Sequence, residues 1–415
     1  MSKMPKAHLL AALALAAAGA LAAVGCRVYG GPGHADVTEA ASVSGSTDPY
    51  YDRYLGPLHA ERPYYKTIER ITFTEQGGDY DPAISPDGTR LIYVSTAQST
   101  VPDIYMKTVT GGKVSSTVTQ LTSTPWAEIQ PCFSPDGRFF AYASNRRGRW
   151  DICIEPLAGS SGPRYFTENL KSDSISPNWH PGGEWIAFST CNLRSLRWEI
   201  AVKNVKTGQL RVLGEGLFPR FSPDGQKLAF QRARERTPRW YSIWTIEVDE
   251  DFNVTGLPTE IVSSAKWAAI NPAWSPDGNY LAFATVHESP EAQSCRRILM
   301  GDDICVVNLH GQDFAKLTDS PEPESHPAWA RGKDGRNGRI YFCSMQYGPK
   351  NIFAMAPVLP EPYGSVAGVL PGPAPENAPP RAPERKAPPL ELPAPEKAGP
   401  AKVPDLPPPA ESRTE

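Results

Sequence analysis

The chain has 415 residues, with Lys+Arg 42 against Asp+Glu 45 and a formal charge of −3 at pH 7. Charge this balanced argues against a whole-chain nucleic-acid binder, although a local basic face stays open, and the length fits two or three average domains or one large repeat domain. Proline is in excess at 44 residues, 18 of them from Pro357 onward, so the early and late prolines need separate explanations.

In chain order, Lys3 and Lys6 precede sixteen apolar or small residues at 9–24. The run is short for a membrane span, which needs about 20 residues, and fits a secretory signal. It ends Ala23-Val24-Gly25-Cys26. This resembles the bacterial lipobox, in which the Cys after small residues is lipidated and becomes the new N-terminus; Ala23 stands where Leu is usual. The expectation is a signal peptide of the lipoprotein type at 1–25, a lipid on Cys26 and a linker at 26–66. Such a chain is anchored to a membrane by acyl chains and does not span it. Arg27, rather than Asp, after the cysteine favours the outer over the inner membrane in that resemblance.

A turn signature then recurs. Ser85-Pro86-Asp87-Gly88, Ser134-Pro135-Asp136-Gly137, Ser222-Pro223-Asp224-Gly225 and Ser275-Pro276-Asp277-Gly278 are followed by short apolar runs, and each is preceded by a proline three residues before its Ser. Degenerate copies begin at His180 and Ala330. The spacings between the Ser-equivalent positions are 49, 46, 42, 53 and 55 residues, a period of solenoids, propellers or arrays. The chemistry is that of turns: Pro presets φ, Asp accepts local backbone hydrogen bonds and Gly takes the left-handed position. Each copy carries a further run such as Asp103-Ile104-Tyr105 or Asp303-Ile304-Cys305, and a weaker one such as Leu121-Thr122 or Leu317-Thr318. The fold predicted is all-β, a six-bladed β-propeller with four-stranded blades over 67–356. The last repeat lacks a fourth run, while Arg70-Ile71-Thr72 matches Leu121-Thr122 in kind. An N-terminal strand near 67–73 is therefore expected to close the last blade and remove an open edge.

These Ser-Pro-Asp-Gly repeats, with Ser144-Asn145-Arg146-Arg147-Gly148-Arg149-Trp150-Asp151-Ile152, resemble the propellers of the TolB family and of the prolyl oligopeptidases. The resemblance implies a TolB-like propeller without the N-terminal α/β domain of TolB, since only about 40 residues lie between Cys26 and the first strand. A prolyl oligopeptidase would add a hydrolase domain with G-x-S-x-G; Gly364-Ser365-Val366-Ala367-Gly368 has its Ser one place early. Some relatives of this kind are lyases with a His-rich metal site in the central channel. The channel-mouth positions here are Asp81, Gln130, Ser176, Phe218, Asn271 and His326, with one His among them. No metal, cofactor or catalytic set is expected, and a carbohydrate-binding or lyase-like channel stands as the alternative function. His180 reads as a surface turn residue.

In a propeller, the loops from second to third strands and the crossings between blades open on one face. The loops carry Arg146, Arg147 and Arg149, Arg194 and Arg197, Arg232, Arg234, Arg236 and Arg239, and Arg296 and Arg297; Trp126, Trp267 and Tyr80, in the crossings, are expected on the same face. Arg with aromatic side chains is the composition of recognition hot spots. Arg146, Arg147, Arg149, Arg194, Arg197, Arg234, Arg236, Trp126 and Trp267 are accordingly the expected partner-binding set. The function expected is a non-catalytic, monomeric scaffold on the periplasmic side of the cell envelope, held by its lipid. It would bind an envelope protein of the peptidoglycan-associated or Tol-like kind, and no nucleic acid. Cys295 and Cys305 bracket an enlarged loop in the fifth blade and are the disulfide candidate. Cys132 and Cys153 are separated by two strand spacings of about 4.8 Å each, too far for a bridge. Residues 357–415 are rich in Pro, Ala, Glu and Lys without apolar period and read as a disordered tail.

Overall fold

The structure, a computed structural model, describes residues 65–359 except 111–112, 160–161, 234–240, 265–266, 288–302, 310–313, 321 and 333–336. The expected signal, Cys26, most of the linker and all but the first residues of the tail lie outside the described residues. So do Arg234, Arg236, Arg239, Cys295, Arg296 and Arg297.

The described chain forms six four-stranded antiparallel sheets. The first blade contains β2 (Asp79–Ile84), β3 (Arg90–Ser95), β4 (Asp103–Thr110) and β5 (Lys113–Gln120). The second has β6 (Glu128–Phe133), β7 (Phe139–Ser144), β8 (Asp151–Pro156) and β9 (Arg164–Tyr165), and the third β10 (Ser174–Trp179), β11 (Trp185–Cys191), β12 (Trp198–Asn204) and β13 (Leu210–Glu215). The fourth is β14 (Leu217–Phe221), β15 (Lys227–Ala233), β16 (Tyr241–Glu247) and β17 (Thr259–Val262). The fifth is β18 (Trp267–Trp274), β19 (Tyr280–His287), β20 (Ile304–Asn308) and β21 (Phe314–Lys316). The sixth joins β22 (Glu324–Arg331), β23 (Asn337–Ser344) and β24 (Asn351–Pro357) to β1 (Tyr65–Arg70) from the other end of the chain. Inner strands pack on one another all round, with β22 against β2 completing the ring.

The second strands show why the blades stack. They are apolar on both faces: Leu91, Ile92 and Val94, or Phe140, Ala141, Tyr142 and Ala143, are all buried. A strand covered on both sides by neighbouring sheets reads as a continuous hydrophobic run rather than an alternating one. The outermost β13 instead alternates between exposed and half-buried positions.

The turn between first and second strands behaves as its residues dictate. The Ser85 hydroxyl donates to Asp87 Oδ1 at 2.5 Å and accepts the Arg90 N–H at 2.9 Å, while Asp87 Oδ1 accepts the Thr89 N–H at 3.0 Å. Ser134 and Asp136, and Ser275 and Asp277, repeat the arrangement. Burial raises the carboxyl of Asp87, but the hydroxyl and amide donors outweigh it and hold the group below the usual range. Gly88 has φ +70°, and a Cβ there would sit 2.9 Å from the Arg331 carbonyl oxygen. These aspartates are turn residues, one in each blade that carries the full signature. His180 takes the serine's place in the third blade, where its Nδ1 accepts the Gly182 N–H, two residues on, at 3.0 Å. It is not the plain surface residue expected, because its ring packs edge-on against Phe221 and Phe252 of the next blade.

Closure is visible in matching bonds. In the first blade Leu121 donates its N–H to the Ile104 carbonyl at 2.8 Å, and the Thr122 hydroxyl accepts the Ile104 N–H at 2.9 Å. In the sixth, Ile71 N–H meets the Ile352 carbonyl at 2.8 Å and the Thr72 hydroxyl accepts the Ile352 N–H at 3.0 Å. The same side chains make the same bonds across about 280 residues of sequence as across about 18.

Candidate functional site

Each inner strand breaks at one residue. Asp81, Gln130, Ser176, Phe218, Asn271 and His326 all have φ between 51° and 55°, and the ladder with the second strand shifts register there in every blade. A left-handed conformation at a non-glycine residue costs on the order of 1–3 kcal/mol and persists only where the surroundings hold it. Each is followed by a proline, which has no N–H to offer at a break in the ladder. The freed backbone N–H groups are taken across the seam by the preceding blade. Gln130 N–H donates to Asp81 Oδ2 at 3.2 Å, and Ser176 N–H to Gln130 Oε1 at 2.8 Å. Phe218 N–H goes to Ser189 Oγ at 3.0 Å, and Asn271 N–H to Gln231 Oε1 at 2.9 Å. The bulged residues are all buried around the channel, and these bonds stitch four of its six seams.

The ring carries charge chemistry. His326 Nε2 lies 3.3 Å from Asp81 Oδ1. Burial pushes the Asp81 carboxyl up to about 7, against the lowering effect of Lys350, and burial holds His326 well below its ordinary value, helped by Lys350 and Arg220. Two residues past the bulge, a second tier comprises Ala83, Cys132, Asn178, Arg220, Ala273 and Ala328. Arg220 is the one charged member. Among the described residues no group of three His, Cys, Asp or Glu side chains converges as a metal site would require.

Between blades lie buried carboxyls that the repeat pattern did not reveal. Glu128 accepts the Thr124 hydroxyl at 3.0 Å beside Asp103, whose own carboxylate accepts the Thr124 N–H at 3.2 Å. Burial, with Asp103 adding to it, pushes Glu128 up to about 7; burial and Asp303 push Glu324 up to about 8.

The face of second-to-third-strand loops and blade crossings holds much of the expected binding set. Arg146 stacks over Trp126 at 5.2 Å, and Arg147 over Tyr165 at 5.4 Å. Arg147 also lies 3.7 Å from Glu168, Arg149 is 3.4 Å from Asp151, and Arg197 is 2.6 Å from Glu215. These pairs make the face less basic than its arginine count alone suggests, while Arg146 and Arg194 make no ion pair with the described residues. Trp126 is 38 % exposed, whereas Trp267 is 3 % exposed and stacks on Phe283 in the core. Trp267 is corrected accordingly: it opens β18 rather than sitting in the crossing, so its ring turns into the blade. Tyr80, inside β2, is buried for the same reason. The sequence reading missed Phe73 and Tyr347, which are 65 % and 63 % exposed on this face, together with exposed Leu193 and Leu196. Single apolar residues in polar loops give little signal until the topology gathers them. The cysteines at 132, 153, 191 and 343 are buried and unpaired; Cys305 is buried in β20, and its proposed partner Cys295 lies outside the described residues.

The geometry agrees with comparison to known proteins. The model of the TolB beta propeller domain matches residues 66–218. A TolB homologue of Chlorobium luteolum is 30% identical over 155 residues, covering 37% of this chain and 33% of that protein. The Tol-Pal system protein TolB of Helicobacter pylori is 24% identical over 212 residues, covering 49% of this chain and 48% of that one. The chain therefore spans between about a third and about half of the length of these relatives. The solved structure of a putative TolB from Agrobacterium tumefaciens is 20% identical with a TM-score of 0.48, over 71% of this chain and 97% of that one.

Proposed function

We propose that this TolB-like propeller is a non-catalytic cell-envelope scaffold, anchored through a lipid on Cys26 at the periplasmic side of the outer membrane, that binds a protein partner on its loop-and-crossing face. The observation that carries this reading is the gathering of exposed Phe73, Trp126, Leu193 and Tyr347 on that face, with Arg146 stacked on Trp126. Exposed aromatic rings beside arginine supply large contact area at low side-chain entropy cost and dominate interface energetics. Relatives named for the Tol-Pal system support the envelope setting and a partner of that class.

The test is capture of partners from native envelope by the full chain and by the W126A/R146E/Y347A variant. Each hot-spot truncation costs about 2 kcal/mol or more when it sits at an interface centre, so the triple variant loses its partners while keeping the circular dichroism of the parent. Identical partner sets for the two proteins sink the proposal.

A further inference from the structure

Exposed apolar side chains at the ends of the blades divide between the two faces. Phe73, Trp126, Leu193, Leu196 and Tyr347 lie on the loop-and-crossing face. Leu210, Val254, Leu257 and Val358 lie on the opposite face, where first-to-second-strand turns and third-to-fourth-strand hairpins open. Backbone bonds fix them there. Val248 donates its N–H to the Gln226 carbonyl at 2.9 Å, directly after the Ser222–Gly225 turn, and Val205 donates to the Glu184 carbonyl at 2.8 Å after the His180–Gly183 turn. Leu210 pairs with Lys203 beside Val205, and Val358 follows Pro357, the partner of Tyr65.

The hairpin joining β16 to β17 is the most prominent feature of this face. Its Leu257 is 90 % exposed, yet the hairpin is firmly built. Val248 bridges Val254, and Thr255 donates its N–H to the Glu247 carbonyl at 3.0 Å. Asp249 Oδ1 accepts the N–H groups of Asp251 at 2.9 Å and Asn253 at 2.8 Å, and its Oδ2 accepts Asn253 Nδ2 at 2.9 Å. Phe252 is held at φ 59°, a costly conformation, because its buried ring is wedged 5.3 Å from His180 and 4.7 Å from Trp185 of the third blade. Arg211 Nη1 donates to Asn253 Oδ1 at 3.0 Å, which sets Leu210 of the third blade beside the fourth-blade hairpin. A leucine held out in water on a rigid support contributes nothing to the core, and its gathering with Val254 and Leu210 at one seam marks an interaction site.

Two features name what covers it. The described chain enters at Tyr65 on this same face, in the sixth blade, across the ring from the seam of the third and fourth. Residues 27–64 therefore bring a lipid on Cys26 to the side of the molecule that carries Leu257. The charge beside the hairpin is negative: Asp249, Glu250 and Asp251 are exposed, while Lys227 is taken by Glu247 at 3.0 Å and Lys206 by Glu184 at 3.3 Å. An anionic leaflet would repel such a hairpin, whereas a zwitterionic headgroup ending in a primary ammonium suits both its carboxylates and its aliphatic tip.

We propose that Leu257, Val254 and Leu210 form a membrane-contact edge that rests in the headgroup layer of an ethanolamine-phospholipid leaflet. With the lipid anchor at the opposite rim, this contact lays the turn face along the bilayer. It rests on the reading of Cys26 as lipidated. The tether keeps the hairpin close to the surface, so a contact too weak to recruit the protein from solution is filled once the chain is anchored.

The test is hydroxyl-radical footprinting of the full chain purified from its native envelope. It is carried out on vesicles of phosphatidylethanolamine and phosphatidylcholine and in nonionic detergent micelles, with flotation of the vesicles reporting attachment. Leu193, 60 % exposed on the opposite face, is the internal standard. Labelling of Leu257 relative to Leu193 is expected to fall severalfold on vesicles. Val254→Asp with Leu210→Asp, both at exposed positions, restores it without releasing the chain, and replacing part of the lipid by phosphatidylglycerol weakens the protection. A chain that does not float removes the anchor and this contact with it. A floating chain whose Leu257 is labelled as in micelles overturns the contact alone and leaves the anchor standing. Protection that appears in micelles and grows with protein concentration assigns the hairpin to a second copy, and protection that phosphatidylglycerol strengthens contradicts the headgroup; either result overturns the proposal.

Discussion

At the scale of single residues, the seam carboxyls give the propeller a pH dependence. Glu128 and Glu324 are protonated up to about 7 and about 8 in the fold, against about 4.3 in an unfolded chain. The native state therefore holds more protons between these values, and stability falls as pH rises through them. What the buried groups contribute below pH ~4 is lost by pH ~8. Thermal unfolding is expected at a higher temperature near pH 5.5 than near pH 8.5. Glu324→Gln, which mimics the protonated acid, should remove much of that slope and gain on the order of 2 kcal/mol at pH 8.5; a parent protein that is more stable at the higher pH would contradict the assignment. None of this was legible in the sequence. Glu128 and Glu324 precede the channel residues by two positions in separate repeats, and only the packing of one blade on the next brings each beside an aspartate of its neighbour. Arg220 escaped notice for the same reason, although it is the one member of its repeat position that is neither small nor an amide.

At the scale of elements, the repeat was readable because its causes are local. Pro-Asp-Gly turns and apolar second strands act within a few residues, so the sequence pattern and the folded blade coincide. Closure by β1 was also readable, since Ile71-Thr72 copies Leu121-Thr122 and Leu317-Thr318. Trp267 and Tyr80 were misplaced because the boundary between crossing and strand decides whether a ring points out or in, and no turn residue marks that boundary. The Thr hydroxyl is the sixth blade's own test. Ile352 N–H is buried, and Thr72 Oγ1 is its acceptor at 3.0 Å. Thr72→Val keeps the shape and removes the acceptor, at an expected loss of about 1–3 kcal/mol. Thr122→Val, at the equivalent place in the first blade, should cost a similar amount in chemical denaturation. A negligible effect at Thr72 beside a full effect at Thr122 would mean that β1 does not hold the ring shut.

At the scale of the whole molecule, the blades share one polarity. All first turns lie on one face, and all loop-and-crossing segments on the other. Tyr65 and Pro357 are paired across β1 and β24, so the described chain starts and ends on the first-turn face, away from Trp126 and Tyr347. A tether reaching back to Cys26 would leave the aromatic face pointing outward. The same pairing has a mechanical meaning. Load applied between the two ends meets the β1–β24 ladder at its Tyr65–Pro357 end, and then Ile68–Met355, Glu69–Ala354 and Arg70–Phe353 in turn. Bonds strained in succession yield at lower force than bonds strained together. In single-molecule pulling from both ends, β1 should peel away in an early low-force step before the blades unravel, whereas one high-force rupture of the entire ring would exclude that order. A ring sealed by its first strand is thus a clasp that tension opens from the outside.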